Sequence, residues 1–326
     1  MLKLSTYKAN EIDDSLWIDF NAFTNKLNST NKGLEIFKEE MIEFARIREN
    51  FSFFFITQDD QIIAVIHLRK WDPNELMITI DSELKSCSEE LIELIKDLVK
   101  NYDKEFYDLV GITSNDIEKD YFIKVGAKLI NANEAYVLKK EKINLAEIEN
   151  ICDSKSYLKK DLDLLFYDTV EDVVPDEHLK AWLELSHTIA DEISLEYSNE
   201  PAVKLSLDYI KKSHLKKKKK NISLYNYMLF SKDGKVVAKS MVIITKSEIP
   251  NIVQHATGVA KEYRNKGIAL WLKAKMIKKL YNDFPTMSKI ITSTSSRNVG
   301  MNKINKKLGY EYSHSENDYR IKIGEL

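Results

Sequence analysis

The sequence predicts an α/β protein of the mixed-sheet (α+β) kind, built as two tandem domains over residues 1–145 and 146–326. Three observations carry the prediction. At 326 residues the chain is long for one compact mixed domain. The order strand, helix, helix, hairpin, strand, helix, strand, helix, strand is legible twice at a period of roughly 150 residues, the size of a duplicated domain rather than of a solenoid repeat. The ends of the halves also correspond: FIKVGAKLI (Phe122 to Ile130) matches NKKLGYEY (Asn305 to Tyr312), each with one Gly between a helix and the following strand.

In the first half, Leu2 to Tyr7 alternates apolar and polar residues as a half-buried strand does. Asp13-Asp14 is placed to cap a helix carrying Leu16, Trp17 and Phe20, and a second helix is expected from Leu34 to Arg48. Phe51 to Gln58, a turn at Asp59-Asp60, and Gln61 to Trp71 read as a hairpin. A strand at Leu76 to Ile80 follows. Ser88 to Asn101 places Leu91, Leu94, Ile95, Leu98 and Val99 on one helical stripe. A strand at Tyr107 to Thr113, a helix at Ile117 to Val125 and a strand at Ala135 to Leu138 complete the half. Lys139 to Lys160 is polar and weakly periodic, and the domain boundary is placed within it.

In the second half, a strand begins at Asp163 to Tyr167. Pro175 and Asp176 introduce a helix through Ile189, and another spans Pro201 to Lys212. Ser223 to Ser231, an Asp233-Gly234 turn and Lys235 to Thr245 form a second hairpin. Asn251 to Val259 is a strand, Lys261 to Gly267 a short polar turn, and about four turns of amphipathic helix end near Tyr281. A strand at Lys289 to Ser295, a helix from Asn298 to Leu308, and strands around Tyr310 and at Tyr319 to Ile323 close the chain.

Net charge is −2, but residues 1–145 carry 19 Lys+Arg against 27 Asp+Glu, and the remainder 30 against 24. The second half has the sign that favours an anionic ligand. Cys87 and Cys152 lack metal-ligand or redox spacing, so a reduced, intracellular protein with no metal is expected. No apolar run reaches the 18 or so residues of a membrane span, and the N-terminus turns acidic before a signal-peptide core forms. A cytoplasmic location, no membrane partner, and a monomer or homodimer are therefore expected. Lys211, Lys212 and Lys216 to Lys220 form a conspicuous run. Without interleaved aromatics or arginines, in a slightly acidic chain, it reads as a solvated loop rather than a nucleic-acid contact.

The stretch VQHATGVAKEYRNKGIALWLKAKMIKKL (Val253 to Leu280) runs strand, basic Gly-containing turn, helix. That order suits phosphate binding: N–H groups of the first helical turn point at the anion, Gly267 lets the backbone approach closely, and Arg264 and Lys266 add charge. A Walker loop or a dinucleotide fingerprint needs other spacings.

Arg264-x-x-Gly267-x-Ala269 resembles the pyrophosphate-loop motif, Q/R-x-x-G-x-G/A, of the GCN5-related N-acetyltransferases (the GNAT superfamily). The element order of both halves is that fold's order, and the layout is similar to tandem members with one decayed copy, such as mycothiol synthase. The resemblance implies that acetyl-CoA is bound by Arg264, Asn265, Lys266, Gly267, Ile268 and Ala269. It further implies contacts to the backbone of Thr257, Gly258 and Val259, the last an oxyanion-type contact to the thioester. Asn298 opening the fourth helix, with Met301 beside it, matches the family's N-x-x-A/M and would lie near the pantetheine arm; as a residue it is equally a helix cap. In place of the motif the first half has IDSELKSCSEE (Ile80 to Glu90), whose carboxylates repel an anion. It is expected to be the degenerate domain.

The proton chemistry departs from the family pattern. Asn305 stands where many members have a Tyr general acid. Val253-Gln254 stands where several have a Glu base, which leaves Gln254 and His255 as candidates beside Glu262. Asp191, Glu192 and Glu196 are expected to attract a cationic amine. The resulting expectation is an N-acetyltransferase acting on a primary amine, a small molecule rather than a protein. A non-catalytic acyl-CoA-binding protein is the alternative.

Overall fold

The computed structural model describes residues 2–46, 51–72, 74–102, 106–154, 161–192 and 204–326. The chain divides into two compact units, Met1–Ala132 with Glu316–Leu326, and Asn133–Ser315. Unit 1 contains β1 (Lys3–Tyr7), α1 (Asp14–Asn28), α2 (Leu34–Arg46), β2 (Ser52–Gln58), β3 (Gln61–Asp72), β4 (Glu75–Ser82), α3 (Glu89–Tyr102), β5 (Asp108–Thr113), α4 (Asp116–Lys124) and the start of β6 (Lys128–Lys139). From the rest of β6, unit 2 continues through α5 (Leu145–Asp153), β7 (Leu162–Asp168), α6 (Asp176–Glu192), α7 (Leu207–Lys219), β8 (Ile222–Ser231), β9 (Val236–Thr245), β10 (Asn251–Val259), α8 (Ile268–Asp283), β11 (Lys289–Ser295), α9 (Val299–Lys307) and the start of β12 (Glu311–Lys322). With α5 set aside, the two orders are identical, as the sequence repeat predicts.

Local chemistry fixes many of the element ends. Asp13 Oδ1 accepts from Leu16 N at 2.8 Å and starts α1, and Asn115 and Asn298 cap α4 and α9 in the same way. Asp59 and Asp60 both take positive φ, as a two-residue hairpin turn requires. Under α1 and α2, an aromatic cluster of Trp17, Phe20, Phe37, Phe53 and Phe55 forms part of the core of unit 1, with Phe20 and Phe37 rings edge-to-face at 4.9 Å.

The sheet order is β1-β2-β3-β4-β5-β12 in unit 1 and β6-β11-β10-β9-β8-β7 in unit 2. The closing strands are exchanged. β5 pairs antiparallel with the C-terminal part of β12 (Asn317↔Thr113 to Lys322↔Asp108). β11 pairs antiparallel with the end of β6 (Lys289↔Lys139 to Ser295↔Asn133). In unit 2, Val242 and Ile244 of β9 pack with Met276 and Ile277 of α8 on one sheet face. On the other face, Met228 and Phe230 of β8 pack with Leu185 and Trp182 of α6.

Two expectations need correction. The polar stretch 139–160 contains a helix, α5, whose Ile148 and Cys152 are buried against α8, with Trp271 Nε1 donating to Cys152 O at 2.8 Å. Two inward positions four apart suffice when a neighbouring helix supplies the rest of the apolar surface. The lysine run is also helical, since α7 continues to Lys219. Cations in a last helical turn complement the dipole, and Lys218 pairs with Glu171 at 2.9 Å.

Candidate functional site

β10 and β11 run parallel but pair only from Ile252↔Ile290 to Gln254↔Thr292. Against β9, the register of β10 shifts between Gln254 and Thr257, then resumes at Thr257↔Ser240, Gly258↔Lys239 and Val259↔Ala238. Thr257, Gly258 and Val259 therefore stay on β9 while their other edge has left β11. Gln254 holds this bulge from the α8 face: it is 2% exposed, and its Nε2 donates to Met241 O at 2.9 Å and to Ser240 Oγ and Thr257 Oγ1 at 3.3 Å. On the opposite face, a Cβ added at Gly258 would lie 2.1 Å from Ile189 Cδ1 of α6, so any side chain there would have to displace the end of Ile189.

The polar turn follows at once. Arg264 Nε donates to Val259 O at 3.0 Å, tying the turn to the strand end. Lys266 Nζ donates to Glu262 O at 3.1 Å and lies 5.1 Å from the Tyr263 ring centre. Asn265 (φ 61°) and Gly267 (φ 76°) are left-handed, a conformation tolerated by Asn and free of cost to Gly. Gly267 is the N-cap of α8 and provides no side-chain cap, so the first-turn N–H groups of Ile268 and Ala269 are left to a ligand or solvent. An open strand edge, an uncapped helix start and exposed cations fit a chain with amides at one end and a diphosphate at the other, as in acetyl-CoA.

At the corresponding place in unit 1, the protein's own side chains fill these roles. β4 pairs with β5 only through Glu75–Met77. Beyond that, Ile80 N donates to Glu118 Oε1 at 2.6 Å and Ile80 O accepts from Asn115 Nδ2 at 3.1 Å. Glu118 is 3% exposed, and burial pushes its pKa up to about 8 against the Ile80 hydrogen bond. At the start of α3, Cys87 N donates to Asp120 Oδ2 at 2.7 Å and Leu91 N to Ser88 Oγ at 3.2 Å. Glu83 is paired with Lys26 at 2.7 Å.

On the α6 face of unit 2, next to the bulge, lies a cavity of about 250 Å³. His255 lines it together with residues of α6, α7, β8 and β9. By surface area His255 is exposed, yet protein crowds its imidazole. That crowding, and then the charges of Lys239 and Lys217, hold its pKa below the ordinary histidine value. Lys239 sits on the same sheet face, opposite Gly258. It is 4% exposed, hydrogen-bonded to Ser186 Oγ, with its ammonium 4.1 Å from the Trp182 ring centre. Burial lowers its pKa to about 7. No sequence motif marks Lys239 or Trp182, and Lys217 reads in the sequence only as part of a solvated lysine run. The available signal was a lone Lys inside the apolar run VVAKSMVIIT.

Asn298 Oδ1 accepts from Met301 N at 3.0 Å, so its side chain caps α9. Asn305 is 0% exposed and accepts from the buried Lys273 Nζ at 2.6 Å. It lies sealed between helices and is not placed to protonate a ligand. Asp191 and Glu192 lie at the end of α6; their side chains, and the whole of Glu196, are outside the described residues.

Burial alone lowers the pKa of Lys273 to about 7. The unfolded chain therefore holds this proton more tightly between pH 7 and the ordinary lysine value, and stability rises with pH across that window. Lys273→Met is expected to stabilise the protein by about 2 kcal/mol near pH 6, after the loss of the Asn305 partner is counted. The gain should fade towards pH 10, as thermal denaturation at several pH values would show.

Solved structures with this architecture include a tandem GNAT protein from the clavulanic acid biosynthesis pathway, 14% identical over 99% of both chains with a TM-score of 0.65. A GCN5-related N-acetyltransferase from Sphaerobacter thermophilus is 9% identical over 99% of this chain and 96% of that one, with a TM-score of 0.60. The chain has the tandem GNAT fold. A glucosamine N-acetyltransferase region of a fungal multi-domain GH3 β-N-acetylglucosaminidase aligns with this GNAT fold at 10% identity and a TM-score of 0.61, over 98% of this chain and 38% of that one. No protein-family model and no curated protein sequence matches the chain. Among the described residues, no helix is long and apolar enough to cross a membrane.

Proposed function

We propose that unit 2 binds acetyl-CoA and transfers its acetyl group to a primary amine, and that unit 1 does not bind the cofactor. The observation that carries this reading is the departure of β10 from β11 directly before the uncapped start of α8, set against side-chain occupation of both features in unit 1. Arg264, Asn265, Lys266 and the N–H groups after Gly267 hold the diphosphate. The edge of Thr257 to Val259 that faces away from β9, where Val259 O is already engaged by Arg264 Nε, takes the pantetheine amides, and its N–H groups polarise the thioester carbonyl.

Acetyl-CoA supplies the acyl group: the amine lone pair forms the N–C bond, the C–S bond breaks, and the sulfur leaves as thiolate. His255, neutral because its pKa is lowered, accepts the ammonium proton directly or through water. Gln254 fixes the bulge that presents it. A small acceptor is favoured over a polypeptide by the cavity's size of about 250 Å³.

The test is release of free thiol from acetyl-CoA by the full-length protein in the presence of primary amines. Cofactor binding without thiol release on any amine would support the non-catalytic reading instead, which the sealed position of Asn305 motivates.

A further inference from the structure

The cavity beside His255 contains more chemistry than acetyl transfer to an arbitrary amine requires. Its walls are largely apolar, with Leu179, Ile210, Met228, Met241 and Ile243 among them, and Tyr209 adds an aromatic face. About 250 Å³ lies just below the roughly 300–1,000 Å³ of drug-sized pockets. That is space for a branched or aromatic side chain and its head group, and too little for a nucleotide or a peptide.

Lys217 is the one cationic side chain among the described lining residues, which also include His214, His255 and Tyr209 and no carboxylate. Burial pushes His214 down to about 4 and also lowers His255, so both imidazoles are neutral. Lys217 comes from the last turns of α7, and its Nζ donates to Ser213 Oγ. Neither this hydrogen bond nor the charges acting on Lys217, which are Lys220 and Lys216, supplies a counter-ion. Asp168, whose charge acts on His214, has its Oδ1 engaged by Val170 N and Leu224 N, each at 3.2 Å. A wall of this kind repels a second ammonium group and attracts an anion.

Two lining residues also carry buried polar atoms with no hydrogen bond among the described residues, Asn226 Oδ1 and Trp182 Nε1. The first is an acceptor and the second a donor. Such atoms are costly unless a ligand satisfies them.

We infer that the acceptor is an apolar α-amino acid or a close analogue: side chain in the cavity, carboxylate on Lys217, and amino group between His255 and Asn226. This inference rests on the acetyl-transfer reading of the same site. The bond changes are those given above; the departing thiolate takes the further proton that the nitrogen loses on becoming an amide, and the products are the N-acetyl amino acid and free CoA thiol. Lys217 positions the acceptor and takes no part in the proton transfer. Discrimination against simple amines follows because only an amino acid supplies an anion for Lys217.

The experiment compares L-phenylalanine and L-leucine with phenethylamine, isoamylamine and putrescine on the full-length protein. Turnover is read by thiol release, and binding by calorimetry in the presence of CoA. The expected result is a kcat/KM at least tenfold higher for the two amino acids than for the carboxylate-free amines, with putrescine the poorest. Lys217→Met should raise KM for phenylalanine at least tenfold and leave KM for phenethylamine unchanged or lower. Its kcat on the high-pH plateau should stay nearly unchanged, while the rise to that plateau moves to higher pH as His255 loses a neighbouring positive charge.

Preference for phenethylamine or putrescine, or an equal rise of both KM values in Lys217→Met, would overturn the inference while leaving acetyl transfer intact. Binding of phenylalanine without thiol release would instead uphold the pocket's specificity and overturn the transfer reading. A protein that neither binds nor acetylates either amino acid removes the inference whether or not another amine is turned over.

Discussion

Gly267→Glu is expected to abolish acetyl-CoA binding, raising Kd at least 100-fold in calorimetry with CoA as titrant. Two causes act together. Gly267 has φ 76°, where a side chain costs about 1 kcal/mol, and the new carboxylate would stand among the first-turn N–H groups meant for the diphosphate. An acid at a helix N-terminus stabilises the helix itself, so the variant should remain folded by circular dichroism, and the loss can be read as a binding effect. Glu83→Ala in the corresponding loop of unit 1 should leave Kd within about twofold, because that site is blocked by Glu118, Asn115 and Asp120 as well. The reverse pattern would move the cofactor site to unit 1.

The second large effect is on turnover. His255→Ala should lower kcat by about 100-fold, in the usual range for removing a general base, while Kd for CoA stays unchanged, because the diphosphate loop and the Thr257–Val259 edge are untouched. The wild-type rate should rise through the lowered histidine pKa and level off near neutrality, with any further rise around pH 7 reporting Lys239. In His255→Ala the lower step should disappear. A kcat unaffected by His255→Ala would transfer the base role to another group on the same sheet face, where Lys239 is the next candidate.

Legibility of the site in the sequence followed the range of the interactions. The proposed diphosphate loop is local: Arg264 to Ala269 spans one turn, and its shape depends on backbone geometry encoded by Gly267 and Asn265 themselves. The proposed acceptor cavity is not local. Trp182, Lys217, Asn226 and His255 line it from four different elements, with Lys239 on the same sheet face, and each alone has an ordinary structural explanation. Lys217 looked like one more member of a solvated run, and only the continuation of α7 to Lys219 turns it toward the cavity. The degeneracy proposed for unit 1 shows in the sequence as misplaced charge, but the structural basis proposed for it is more specific: Glu118 of α4 and its N-cap Asn115 reach back to Ile80 of β4 across 35 or more residues of sequence.

The sequence by itself determined the duplicated element order, the helix caps, the two hairpins and the loop at Gly267, because periodicity, capping and turn chemistry act over a few residues. The tertiary structure alone decided which strand closes which sheet, where β10 leaves β11, and which side chains line a cavity with His255. Those outcomes depend on strand pairing and burial between segments tens to hundreds of residues apart, and no local pattern encodes the partner.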